Sequence, residues 1–469
     1  LAGRAATPGD MATRVLVPSG VLGLGFDRQA LRRAVADKPD IICIDGGSTD
    51  SGPFYLGAGV SKYSDASVRS EWKELLDARE VAGCPLVLGS AGTCGTDGMV
   101  DGMLEVTRDI AGAAGRRLKV AVLKSEQPVA SIREALQAGR LVPLAGTPEA
   151  GISAEDAGRC THVVALAGAE QMAAALRTGA DVVIAGRATD TAAISALPLM
   201  NGEDTGAAWH GAKIGECGAL CSTRPMSGVI GLEFDRSGCT VEPHADGARC
   251  TPESVAAHML YENADPFVLH EPGGWLDARG AAYDALDERR VRISGSRWIA
   301  SDSYTVKLEG ARLAGFQTTS LAILRDARYV ANARRWLDRL EAFLAGEIPA
   351  RTGLEAHDYA IEFRLIGVDA ALGPLETGSS DPVEVGVLAI VTAASQATAT
   401  EIARLANPFL LHFPLTDEED LPTFAFPYSP AETERGPLYE FALNHVMRLD
   451  DPMEAFRLEV TEVGHGPPR

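Results

Sequence analysis

From Arg14 to about Leu199 the chain repeats one pattern: a short, continuously apolar, β-favouring run, a turn rich in Gly, Ser, Thr and Asp, then an amphipathic stretch. The apolar runs are RVLVP (14–18), DIICI (40–44), PLVLG (85–89), KVAVL (119–123), THVVAL (161–166) and DVVIAG (181–186). None alternates apolar with polar, so each suits a strand buried on both faces. Such strands predict an α/β fold, a mostly parallel sheet with helices on both faces. Glycines mark the helix ends: SIREALQAGR (131–140) predicts a stop at Gly139 and AEQMAAALRTGA (169–180) one at Gly179. Crossovers between parallel strands are right-handed, so the loops after the strands gather beyond the carboxyl ends, where ligands bind in such sheets.

Near residue 210 the pattern gives way to Gly- and Pro-punctuated segments with alternating strands, SYTVKLEG (303–310) and GFQTTSLAILR (315–325) among them. The amphipathic helix VANARRWLDRLEAFLAG (330–346) closes this region, and EIPARTGLEAHD (347–358) reads as a connector. Beyond it, YAIEFRLIGV (359–368), VEVGVLAIVTAA (383–394) and QATATEIARLAN (396–407) predict a smaller C-terminal α+β domain over 347–469. An α/β domain over 14–346 precedes it, with a possible subdivision near 210. YEFALNHVM (439–447) reads as helical, with His445 in a structural role. Residues 1–13, opening LAGRAATPGD, lack the apolar core and cleavage pattern of a signal peptide and read as an unstructured lead.

The length of 469 residues allows two or three cores, and 46% apolar with 23% charged residues is the composition of a soluble globular protein. No run approaches the ~18 apolar residues that a membrane span needs, so no membrane partner is expected. With 43 Lys+Arg against 64 Asp+Glu the formal charge is −21, which repels phosphate backbones and argues against a nucleic-acid partner. Eight scattered cysteines suit reduced thiols and a cytoplasmic location. Cys217 and Cys221 are four apart, but no second Cys/His pair at zinc-finger spacing follows.

Three strand-end loops carry the candidate chemistry. After DIICI come Asp45, Gly46, Gly47, Ser48, Thr49 and Asp50, whose glycines let backbone amides approach a ligand. After PLVLG, the stretch GSAGTCGTDGMVDG (89–102) offers Ser90, Gly92, Thr93, Asp97 and Asp101. After DVVIAG come Arg187, whose planar fork matches a carboxylate, and Asp190. The bland alternatives stand beside these: Ser48, Asp50 and Thr189 also suit helix capping, and Arg187 and Asp190 suit a pair with each other. In GECGA (215–219), Glu216 is a candidate acid/base and Cys217 a candidate nucleophile, against a buried thiol beside a hydrogen-bonded Glu. The glycines at 20, 23 and 25 in GVLGLGFD do not follow G-x-G-x-x-G, so NAD is unlikely on this pattern. The loop aspartates suit a hard divalent cation such as Mg²⁺, although sequence cannot converge them; the metal stays unknown.

The series GVLGLGFD (20–27), IDGGSTDSG (44–52), IAGRATDTAAISALPL (184–199), GAKIGECGAL (211–220), LYENADP (260–266) and VKLEGARLAGF (306–316) resembles the acyclic terpene utilisation (AtuA) family over most of 14–345. The resemblance implies an α/β catabolic protein, often paired with a small partner domain. FPYSPAETERGPLYEFALNHVM (426–447) resembles an accessory domain of some relatives. Where relatives commonly follow ECGA with Thr-Gly-Gly, this chain has LCSTRP, which leaves the substrate open. The expectation is a hydro-lyase or isomerase working by proton transfer on a small carboxylate or acyl-CoA. Asp45, Asp97 or Glu216 would exchange the proton, Arg187 would hold a carboxylate, and Ser48, Ser90 and Thr93 would hold oxygens. The rival is a non-catalytic subunit needing a small partner protein. Homo-oligomerisation is expected for an acidic metabolic protein of this size.

Overall fold

The computed structural model describes residues 12–144, 152–378 and 381–465. The chain forms two compact units, one drawn from the segment up to Arg312 and from Phe441 onward, the other Leu313–Glu440. Among the described residues no helix is long and apolar enough to cross a membrane.

The first unit is built on a ten-stranded sheet. Its centre is five parallel strands in the order Thr13–Val17, Ile41–Asp45, Leu86–Gly89, Val182–Ala185, Leu118–Lys124. Alternate residues of these strands feed two cores. Val15, Ile41, Cys43, Val87 and Val183 pack on one face, and Leu16, Ile42, Ile44, Leu86 and Ile184 on the other. Burial on both faces is why these runs read as continuously apolar.

The expectation of a mostly parallel sheet is corrected: the sheet is mixed. Antiparallel strands extend it on both sides, Ile230–Asp235, Gly238–Pro243, Val291–Ser294 and Ala282–Ala285 on one and Arg457–Val463 on the other. Ile230–Asp235 alternates buried and half-buried positions, so its sequence lacks the unbroken apolar run that marks the parallel core. THVVAL does not enter this sheet either. Cys160–Ala165 pairs antiparallel with the strand Tyr304–Leu324, from Leu308 opposite Ala165 to Arg312 opposite Cys160. An apolar run declares burial but not its partner.

Two local expectations also change. YEFALNHVM lies in the strand Glu432–Leu449, and Leu443, His445, Met447 and Leu449 are buried at every second position, a period that belongs to strands. The helix expected to end at Gly346 runs from Ala333 to Thr352 and stops at Gly353, which takes the left-handed conformation (φ 72°). Six residues of the expected connector are therefore helical. By contrast, Gly139 and Gly179 sit at positive φ just past the helices Val129–Gln137 and Ala169–Arg177.

The second unit has its own core, in which Trp336, Leu337, Leu340 and Leu344 of the Ala333–Thr352 helix meet Val385, Val387, Ile402 and Leu410. Tyr359–Ile366 and Val385–Ala393 pair antiparallel within it, and Gln396–His412 supplies its second long helix.

Candidate active site

Beyond the carboxyl ends of the parallel strands lies a cleft of about 340 Å³. Asp45, Ser48 and Asp50 reach it from the loop after Ile41–Asp45, Asp190 from the loop after Val182–Ala185, and Glu216 and Cys217 from the end of the helix Thr205–Gly215. A larger hollow of about 480 Å³ lies near Arg14, Asp37 and Pro39, at the amino ends of the first two strands. Ligands of open α/β sheets sit at the other end, and the convergent carboxyls are there too.

Glycines allow the loops to close on one another. Gly46 donates its N–H to Gly89 O at 2.8 Å, and a Cβ on Gly46 would stand 2.4 Å from Ser90 O. Gly95 crosses the backbone of Arg187 so closely that a Cβ would lie 2.0 Å from its nitrogen. Ser90 and Thr93 hold positive φ (44° and 73°), a conformation that non-glycine residues adopt at a cost and that clusters at binding sites.

Arg187 fastens these loops from behind. It is buried, and its guanidinium donates to Glu309 Oε2 (3.1 Å), Ser90 Oγ (3.0 Å), Gly47 O (3.5 Å) and Thr49 Oγ1 (3.4 Å), with Asp190 3.9 Å away. Thr49 donates to the same Glu309 oxygen at 2.8 Å, and Lys307 takes the other at 2.8 Å. Burial alone would raise the Glu309 carboxyl, but Arg187 and Lys307 hold it at about 2. Glu309 thus consumes much of the donor capacity that sequence assigned to a substrate carboxylate.

The cleft carboxyls are shifted the other way. Burial and the neighbouring Asp190 push Asp45 well above the usual carboxylate range, against Arg187 and the Gly47 N–H, which donates to Asp45 Oδ1 at 2.6 Å. Asp190 is raised by burial despite Arg187 and Lys213. Its side chain keeps 31% exposure, so this carboxyl is the one open to the cleft, while Asp45 is only 9% exposed.

On the facing wall Glu216 is placed by tight packing. Gly211 and Gly215 let the Thr205–Gly215 helix lie on the Ile230–Asp235 strand, where a Cβ would meet Phe234 and Leu232 at 2.5 Å. The buried Lys213 Nζ donates to Glu216 Oε1 at 2.5 Å. Burial raises Glu216 well above its ordinary value in spite of Lys213, and burial, Glu216 and Asp190 raise the Cys217 thiol. Cys217 is held as a neutral thiol. Glu271, whose carboxylate oxygens accept from Thr191 Oγ1 (2.5 Å) or lie buried without a partner, is pushed to about 7, chiefly by burial.

Of the other expected residues, Asp97, Gly92 and Thr93 lie outside the lining of the cleft, and Ser48 lies within it. Asp97 begins the helix Asp97–Ala113, where its N–H donates to Glu126 Oε2 (2.9 Å) and its carboxylate pairs with Arg457. Gly92 packs on Met99, and Thr93 Oγ1 accepts from the Lys62 N–H at 3.1 Å. Ser48 Oγ accepts from the Asp50 N–H at 3.3 Å as the cap of a short turn, while lining the cleft. Sequence reasoning missed Lys213, His258, Glu271 and Glu309. Only Lys213 carried a local signal, its position three residues before Glu216 on one helix face.

The lining is acidic. Asp45, Asp50, Asp190, Glu216 and Glu262 face Lys62 as the cation of the wall among the described residues. Around the mouth Leu24 and Met226 are 64% and 90% exposed, an apolar rim over a polar floor.

No match was found among curated proteins or among solved structures. The family profile described as "Acyclic terpene utilisation family protein AtuA" matches residues 63–223 and 225–418, most of the chain, including Asp190, Glu216 and Cys217 but not the loop that carries Asp45. The chain belongs to the AtuA family.

Proposed function

We propose that this chain is a catabolic enzyme of the hydro-lyase or isomerase type, moving a proton at carbon next to the carbonyl of a small acyl substrate. The observation that carries this reading is geometric: Asp45 and Asp190 line one cleft at the strand ends beside the buried Arg187, and burial raises both carboxyls. Neighbouring like charges ionise together only at a cost, so in this reading one member serves as base and the other as acid. The ionised member takes the proton from the α-carbon; the protonated member donates to the group that leaves, or to the carbon that accepts in an isomerisation.

The same electrostatics choose between the two substrate classes. An acidic wall whose arginine is already occupied by Glu309 disfavours a free carboxylate. A thioester presents a neutral carbonyl, and the apolar rim at Leu24 and Met226 suits its acyl chain. That rim also supports a second reading, a subunit whose cleft is completed by a small partner protein or a second copy of the chain.

The test is deuterium uptake from D₂O into short-chain unsaturated and hydroxylated acyl thioesters and the matching free acids. Thioesters should exchange and free acids should not. Asp45→Asn and Asp190→Asn should keep the fold by circular dichroism and lose roughly 10²–10⁴-fold in exchange rate, the usual worth of a general acid or base. Exchange unchanged in both variants would remove the proposal, and exchange only after adding a partner fraction would favour the second reading.

A further inference from the structure

Beside the proposed acid–base pair stands a group of a different kind. One carboxylate oxygen of Glu216, the Cys217 Sγ and one ring nitrogen of His258 all lie within 4.8 Å of one another. His258 is 5% exposed, and its Nε2 is buried without a hydrogen-bond partner. A buried polar atom left unpaired is costly, and in the tautomer that leaves this nitrogen unprotonated it presents a lone pair to a proton donor or an electron-pair acceptor.

We infer that Glu216, Cys217 and His258 bind a divalent transition ion of the Zn²⁺ class, with a fourth position open to the cleft. The donor set decides the ion. One sulfur, one imidazole nitrogen and one carboxylate oxygen make a mixed set that suits borderline ions, whereas Mg²⁺ and Ca²⁺ select oxygen alone. Three protein ligands and one vacancy is the arrangement of catalytic rather than structural zinc, and Glu216 and Cys217 both line the cleft. Bonds of ~2.0–2.3 Å imply donors spaced ~3.3–3.8 Å, so the three side chains close by about 1 Å on the ion.

The surroundings fit a cation. Lys213 takes Glu216 Oε1 and leaves the second oxygen for the ion, and Tyr261 stacks on the His258 ring at 5.3 Å and 9°, fixing its orientation. Lys213 repels a cation, yet Asp190 and Glu271 lie within electrostatic reach of Glu216, and Glu262 of Cys217, so negative groups outnumber it. The ion takes Cys217 as thiolate and Glu216 as carboxylate, so the protons these groups carry in the free chain pass to solvent as the metal bonds form. The ion would set a Lewis acid against the substrate oxygen; that role rests on the proton-transfer reading above, whereas the binding does not.

Cobalt(II) titration of the purified full chain provides the test. One equivalent should give a near-ultraviolet thiolate-to-cobalt charge-transfer band, displaced by Zn²⁺ and not by Mg²⁺. Cys217→Ser should abolish the band, Cys84→Ser should keep it, and His258→Gln or Glu216→Gln should weaken Co²⁺ binding by ~100-fold or more, beyond the loss typical of outer-shell partners. Near-ultraviolet circular dichroism checks that each variant is folded. No band in the native chain, a band surviving in Cys217→Ser, or unchanged affinity in His258→Gln would overturn the site. A band without any deuterium exchange would leave the metal site standing and sink the proton-transfer reading; exchange without a band would do the reverse.

Discussion

At the scale of single residues, Arg187 and Glu309 show how much of a binding loop is held by one buried pair. Arg187 reaches Ser90, Gly47 and Thr49 while its charge is balanced by Glu309 at 3.1 Å. Removing one partner of such a pair strands the other charge, which typically costs 3–5 kcal/mol. Lys307 remains on Glu309 at 2.8 Å, so Arg187→Met should cost about 3 kcal/mol in urea unfolding, and adding Glu309→Leu should recover at least half. A double variant as unstable as Arg187→Met would show that the loop contacts, not the stranded carboxylate, set the cost. Glu271 makes a separate pH prediction. Its folded value of about 7 lies above its ordinary 4.5, through burial and Asp190 against Thr191, Thr189 and Lys213. A carboxyl raised in the fold binds its proton more tightly there. Its contribution to stability is therefore complete below about pH 4.5 and is lost as pH rises through 7. Glu271→Gln should remove a decline on the order of 2 kcal/mol from the urea midpoints measured between those values.

At the scale of elements, what sequence disclosed and what it hid follow from the range of the forces involved. The five central strands were readable because burial on both faces writes itself into every residue, as in IICID and LVLG. Their helices ended where Gly139 and Gly179 required positive φ, again a local demand. Pairing is not local. Cys160–Ala165 found its neighbour about 150 residues away, and SYTVKLEG and GFQTTSLAILR proved to be one strand, Tyr304–Leu324, irregular between Ala311 and Arg312. The site divides in the same way. Asp45, Ser48, Asp50, Asp190, Glu216 and Cys217 stand in glycine-rich loops or helix ends that announce a ligand, and all line the cleft. Glu309 sits in mid-strand, 122 residues from Arg187, and a carboxylate there looks like any solvent-facing residue until its partner is known. His258 was equally silent, since its meeting with Glu216 and Cys217 depends on how the segment after the helix Pro252–Ala257 returns over the cleft.

At the scale of the whole molecule, the charge of −21 bears on how a substrate arrives. A coenzyme A ester has a neutral thioester but carries phosphates, so it approaches a protein of its own sign, and a cleft whose lining repeats that sign. Long-range repulsion of this kind slows encounter without changing the bound geometry, and it acts over the Debye length, ~30 Å at 0.01 M salt and ~8 Å at 0.15 M. Added salt should therefore raise kcat/KM for an acyl-CoA several-fold across that range, while kcat, which follows binding, stays nearly constant. The matching pantetheine ester, which lacks the nucleotide phosphates, should show little change. A value of kcat/KM that falls with salt for the CoA ester would mean that a local cationic patch steers it in. Equal slopes for the two esters would place the salt effect on the protein and not on the encounter. The comparison thus separates the field of the molecule from the chemistry of its cleft, since in the proposed function both esters would present the same acyl group to Asp45 and Asp190.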